Sequence, residues 1–122
     1  MNWTREHDAW IARECEGLHP RIENGLYGDK WVVEHRERGG EAGWHSTLDM
    51  GHYNTDIAAC IRAAEAWRQK REGRTVKIEW EGPDVKAGLG DRVGGWHQWF
   101  SPCDRVALAL AWALYRATGG PA

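Results

Sequence analysis

Along the first eighteen residues the apolar positions recur at helical spacing. Thr4 stands as an N-cap, Glu6 falls in the positive first turn and Gly17 takes the C′ position, which predicts a helix from about Arg5 to Glu16. Trp10 or Ile11, Cys15 and Leu18 form its inward stripe, with His7 and Glu14 at the edge of that stripe and their tips in water. After the break at Pro20 the period changes to two. Lys30 to Arg36 alternates, placing Trp31, Val33 and His35 on one face, and Trp44 to Leu48 reads as an antiparallel partner across Gly39, Gly40 and Gly43.

Helical spacing returns at Ile57, Cys60, Ile61, Ala64 and Trp67, behind a cap at Asn54 or Thr55 and Asp56 in the first turn, with Gly73 as the stop. Thr75 to Glu81 then alternates strictly, with Val76, Ile78 and Trp80 inward. Residues 82–95 are rich in glycine and read as a loop, Trp96 to Phe100 as a short fourth strand, and Ser101-Pro102-Cys103-Asp104 as the start of a last helix. That helix is apolar nearly all round from Val106 to Tyr115. It is too short to cross a bilayer, so it is either the most deeply buried helix or partly covered by another copy, and a homo-oligomer is expected. The predicted order is α-β-β-α-β-β-α: one α+β domain over residues 1–122, with an antiparallel sheet of about four strands packed with three helices.

Composition narrows the partners. A formal charge of −2 supplies no basic field, which argues against duplex nucleic acid. No apolar run of signal-peptide or membrane-span type is present, so the expected location is the cytoplasm, with no membrane partner. Cys15, Cys60 and Cys103 are odd in number and far apart, as reduced thiols packed as small apolar residues would be.

Two segments carry a resemblance. HYNTDIAACIRAAEAW, residues 52–67, and WHQWFSPCDRVALALAWALYRATG, residues 96–119, resemble the helix start and the closing strand and helix of the phage ABA sandwich domain family, over about residues 30–119. The resemblance implies a small phage or prophage protein built as a sandwich of helices and sheet. It brings no reaction, cofactor or catalytic residue with it.

Candidate chemistry is sparse. His45, Asp49 and His52, with His97 as a fourth donor, have metal-binding atoms but no recognised ligand spacing, and neither a metal nor a cofactor is predicted. The run GLGDRVGG at 88–95 lacks both the Walker A lysine and a following helix, so it reads as a mobile hairpin connection, beside which Arg92, His97 and Trp99 are placed to close over a planar anion. Cys103 lacks an evident base, and no catalytic residue is predicted.

The nine tryptophans sort by position. Trp10, Trp31, Trp44, Trp67, Trp80 and Trp112 fall on or near inward positions, and Trp3 is placed to staple the first helix. Trp96 and Trp99 stand three positions apart along one strand, an odd offset, and therefore lie on opposite faces of the sheet. The expected function is that of a nonenzymatic phage-type binding protein counteracting host defence by sequestering a small nucleotide signal. Trp99, His97, Arg92 and Trp96, with Tyr53 or Arg62, form the ligand-binding set. The alternatives are an inhibitor docking on the surface of a host protein, such as a defence or nucleic-acid-handling enzyme, through exposed tryptophan, and an accessory structural phage protein.

Overall fold

A computed structural model describes residues 2–36 and 45–121, with side chains described outside 34–36 and 45–47. The elements run α1 (Arg5–Glu14), β1 (His19–Gly25), β2 (Gly28–Arg36), β3 (His45–Asp49), α2 (Ile57–Gln69), β4 (Thr75–Glu81), β5 (Asp84–Asp91), β6 (Gly95–Pro102) and α3 (Val106–Ala117). The strands form two separate three-stranded antiparallel sheets, ordered β1-β2-β3 and β4-β5-β6. This corrects the expected single sheet of about four strands: each half of the chain adds one strand, giving α-βββ-α-βββ-α.

The two additional strands escape pattern reading for different reasons. β1, HPRIENG, holds one large apolar residue, Ile22, and is an edge strand, so most of its side chains face water and its proline is tolerated. β5 is the glycine-containing run expected as a loop. It is the central strand of its sheet, with Val85, Ala87 and Leu89 fully buried and Gly88 and Gly90 on the opposite face. Gly82-Pro83 and residues 92–94 form the hairpin turns on either side. The connection at Gly39, Gly40 and Gly43, together with Trp44, falls outside the described residues; the antiparallel pairing of β2 with β3 holds, with Val33 opposite Leu48.

α1 begins at the expected cap, where the Thr4 N–H donates to His7 Nδ1 at 3.0 Å. α2 is capped by Asp56, whose carboxylate accepts from the N–H groups of Ala58 and Ala59, rather than by Asn54 or Thr55. Its inward stripe is Ala59, Cys60, Ala63, Ala64 and Trp67, which leaves Ile57 and Ile61 exposed. The alanines allow close approach to the alanine-rich α3, and Cys60 Sγ reaches the Ala107 carbonyl at 3.6 Å. α3 starts at Val106, not at Ser101, because β6 continues through Pro102: Ser101 pairs with Val85, and Pro102 closes an edge strand where its missing N–H costs nothing.

α3 packs on β5 and β6, α2 and α1 pack on α3, and α1 also packs on β1. The run from Ala109 to Tyr115 is buried within the chain, so the most-deeply-buried reading of this helix holds without help from a second copy. Trp67 and Trp112 belong to this core and Trp10 and Trp31 pack at its margin. Trp80 does not: it shares the inner face of its sheet with Val76 and Ile78, but it stands near the end of an edge strand, is 62% exposed, and donates its indole N–H to the Cys103 carbonyl at 3.4 Å.

A buried ion pair ties α1 to the loop ahead of α2. Asp8 is 1% exposed and accepts from Trp3 Nε1 at 2.8 Å, the Tyr53 N–H at 2.9 Å and Arg5 Nη1 at 2.6 Å. Arg5 also donates to the carbonyls of Met50 and Gly51, at 2.7 and 2.9 Å, and meets His52 Nδ1 at 3.1 Å. A carboxylate withdrawn from water survives only when its lone pairs are used in this way.

Candidate functional site

Glu6 and Arg13 each lie three or four residues from both Ala9 and Trp10, so α1 presents the four along one stripe. Trp31 from β2, Tyr115 from α3 and Pro121 complete a cleft of about 340 Å³ in which His7 also takes part. Such a volume is near the lower end for small-molecule sites.

Aromatic surfaces dominate this cleft and are held in place by polar contacts at their edges. Trp10 meets Tyr115 edge to face, with centroids 5.8 Å apart and planes at 65°, and its indole N–H donates to Thr118 Oγ1 at 2.9 Å. His7 meets Tyr115 at 4.8 Å, and the Tyr115 hydroxyl donates to the Pro121 carbonyl at 2.6 Å. The Arg13 guanidinium lies over the Trp10 ring, 5.3 Å from its centroid, while its Nε contacts Glu14 at 3.3 Å. Flat rings beside an exposed guanidinium suit a planar group joined to an anion.

The six residues singled out from the sequence divide among four places. Trp99 and His97 share the inner face of β6, where Trp99 stacks on Trp112 and a His97 ring nitrogen lies 3.2 Å from the Gly94 carbonyl. Trp96 is on the opposite face, as strand parity requires, and lies across Gly88 and Gly90: a Cβ on Gly88 would fall 2.4 Å from its ring. Arg92 is in the β5–β6 turn with its side chain over Gly73, where a Cβ would meet Arg92 Cδ at 2.9 Å. Tyr53 and Arg62 do meet, joined through Glu16, in a different cleft that includes none of the other four. The loop imagined over a ligand is instead the β5 strand and its turn.

The aromatic cleft therefore draws on residues that the sequence had assigned elsewhere. Trp10 and Trp31 lay on inward faces and His7 at a stripe edge; only the i, i+4, i+7 relation of Glu6, Trp10 and Arg13 could have marked them. Among the described residues no group of three His, Cys, Asp or Glu side chains is arranged to hold a metal. Of the sequence's candidate set, His52 faces Arg5, Asp49 lines the cleft of Tyr53, and the His45 side chain lies outside the described residues.

A second exposed surface is the outer face of the β4-β5-β6 sheet. Trp96, Gln98 and Phe100 project there in register with Gly90, Gly88 and Lys86, and the tryptophan and phenylalanine remain 50% and 48% exposed. Lys77, Glu79, Lys86 and Glu81 form a mixed ion-pair ladder beside them.

Among the described residues no helix is long and apolar enough to cross a membrane. Compared with known proteins, the chain matches no family model, no curated protein and no solved structure.

Proposed function

We propose that this chain is a nonenzymatic binding protein that takes up a small planar anion of nucleotide type in the cleft between α1, β2 and α3. The observation that carries the reading is the convergence of Trp10, Trp31 and Tyr115, from three elements, beside the Arg13 guanidinium. Base-on-aromatic stacking contributes roughly 1–3 kcal/mol per base, and the guanidinium supplies the partner for the phosphate. His7 has its Nδ1 committed to the Thr4 N–H, which favours holding a ligand over turning it over. Together with the phage resemblance of residues 52–67 and 96–119, the role is sequestration of a host nucleotide signal in the host cytoplasm.

Calorimetric titration with linear and cyclic nucleotides tests this. Saturable heat that weakens in Arg13→Gln, an exposed change, and is lost in Trp31→Ala supports the reading. No heat with any nucleotide overturns it.

A second reading, docking on a host protein, is favoured by the half-exposed Trp96 and Phe100 on a sheet face that α3 does not cover. A host complex lost in the double variant Trp96→Ser, Phe100→Ser, with nucleotide binding unchanged, would establish that face as the working surface.

A further inference from the structure

The strand β6 lies at an edge of its sheet, and its residues do little to close that edge. Half of an edge strand's backbone N–H and C=O groups point away from the sheet. Among the described residues, the backbone groups of Trp96 to Ser101 bond nowhere outside the pairing with β5. The other edge strands carry charges that discourage a further strand: Arg21 and Glu23 on β1, Asp49 on β3, and Lys77, Glu79 and Glu81 on β4. β6, GWHQWFSP, carries no aspartate, glutamate, lysine or arginine, and its proline comes at the last position.

We propose that β6 pairs antiparallel with β6 of a second copy about a twofold axis at Gln98, so that the two β4-β5-β6 sheets become one. The strand is complementary to itself in that register. Gly95 falls opposite Ser101, Trp96 opposite Phe100, His97 opposite Trp99 and Gln98 opposite its own counterpart, so every position from Gly95 to Ser101 finds a partner on its own face of the sheet. A shift of two residues shortens the ladder and parts Trp96 from Phe100. The contact shares no residue with the aromatic cleft and does not depend on the nucleotide reading.

The side chains on the outer face are set for this seam. Trp96 and Phe100 are both half-exposed within one chain. Trp96 leans inward over Gly88 and Gly90, and its indole N–H donates to Gln98 Oε1 at 3.1 Å. Residues directly opposite one another hold their Cβ atoms about 4.5–5.5 Å apart, so the partner's Phe100 meets the indole at its edge side, and the twofold makes the same contact again. Gln98 keeps its amide N–H groups for its counterpart. A strand of another protein would use the same backbone groups; the aromatic, amide, aromatic order, which reads alike in both directions, is what selects a second copy. The contact is made at the sheet edge and leaves the outer face open.

The test is sedimentation equilibrium. The parent chain should show reversible monomer–dimer association between about 1 μM and about 500 μM, the range of a small interface. Gln98→Lys and Gln98→Glu, at an exposed position, each set like charges against one another on the axis, and each variant alone should dimerise at least about tenfold more weakly. An equimolar mixture of the two should associate again, because lysine then meets glutamate; misfolded variants would not recover in this way. Arg13→Gln should dimerise as the parent does, which separates this contact from the aromatic cleft. A parent chain that stays monomeric at about 500 μM overturns the proposal, as do Gln98 variants that associate like the parent. A mixture that stays monomeric overturns the axis at Gln98.

Discussion

Trp99 and Trp112 stack on one another, ring centroids 5.2 Å apart and planes inclined by 24°. The contact joins the inner face of β6 to α3, so Trp99 works for the fold while Trp96, three residues earlier, faces outward. Trp99→Ala should therefore cost about 3–5 kcal/mol, as large-to-small changes in packed cores do, and Trp96→Ala under about 1 kcal/mol. Urea denaturation of the two variants checks this, and similar midpoints would contradict the assignment of faces.

Removing the buried carboxylate of Asp8 leaves Arg5, the Trp3 indole N–H and the Tyr53 N–H without their shared acceptor. Asp8→Ala should destabilise the chain by about 3–5 kcal/mol, in the range for one-sided loss of a buried ion pair. Asp8→Asn, which keeps an acceptor oxygen, should cost less. Thermal unfolding of both variants measures the difference.

The three thiols should differ in reactivity. Burial pushes the Cys15 thiol up to about 12, and burial likewise raises Cys60, whereas Cys103 is exposed. Titration of the native chain with a thiol-disulfide reagent at neutral pH should modify Cys103 rapidly and the other two only after denaturation. Rapid modification of Cys15 or Cys60 in the native state would show that α1 and α2 open readily.

Asp91 anchors the β5–β6 turn by accepting from the Val93 N–H at 3.0 Å and from Arg74 Nε at 2.9 Å. The Val93 N–H and the Arg74 side chain hold its carboxyl below the ordinary aspartate value. A folded-state value below the unfolded one means that the unfolded chain binds the proton more readily. The stabilising contribution is therefore complete above about pH 5 and fades as pH falls below the ordinary value of about 3.9 and through the folded one. Denaturation midpoints between about pH 5 and pH 2.5 should fall less steeply in Asp91→Asn than in the parent chain. Equal slopes would remove Asp91 from the acid response.

Much of the fold was legible where one period dominates. Thr4 and the stripe behind it gave α1, the spacing of Ile57, Cys60, Ile61, Ala64 and Trp67 located α2 although its two isoleucines face outward, and the strict alternation from Thr75 to Glu81 marked β4. β1 was not legible because an edge strand exposed on most positions needs no apolar alternation. β5 was hidden by Gly88 and Gly90, which read as turn residues but serve the close approach of Trp96. Parity alone put Trp96 and Trp99 on opposite faces. Which of them α3 would cover depends on packing between distant elements, and so does the meeting of Trp10 with Trp31 and Tyr115 in one cleft.

Among the described residues every strand pairs only with a neighbour in sequence, and each sheet is a meander within one half of the chain. The ends meet elsewhere: Trp10 donates to Thr118 across 108 positions. Assembly thus divides into inexpensive local closures and a late capture of α1 by α3, with the greatest loop entropy lost in that last step. The first and last helices act as a clasp. Joining the two ends of the sequence and reopening it at Gly73, between α2 and β4, keeps both meanders whole while turning that capture into a local event, and the permuted chain should fold faster than the parent.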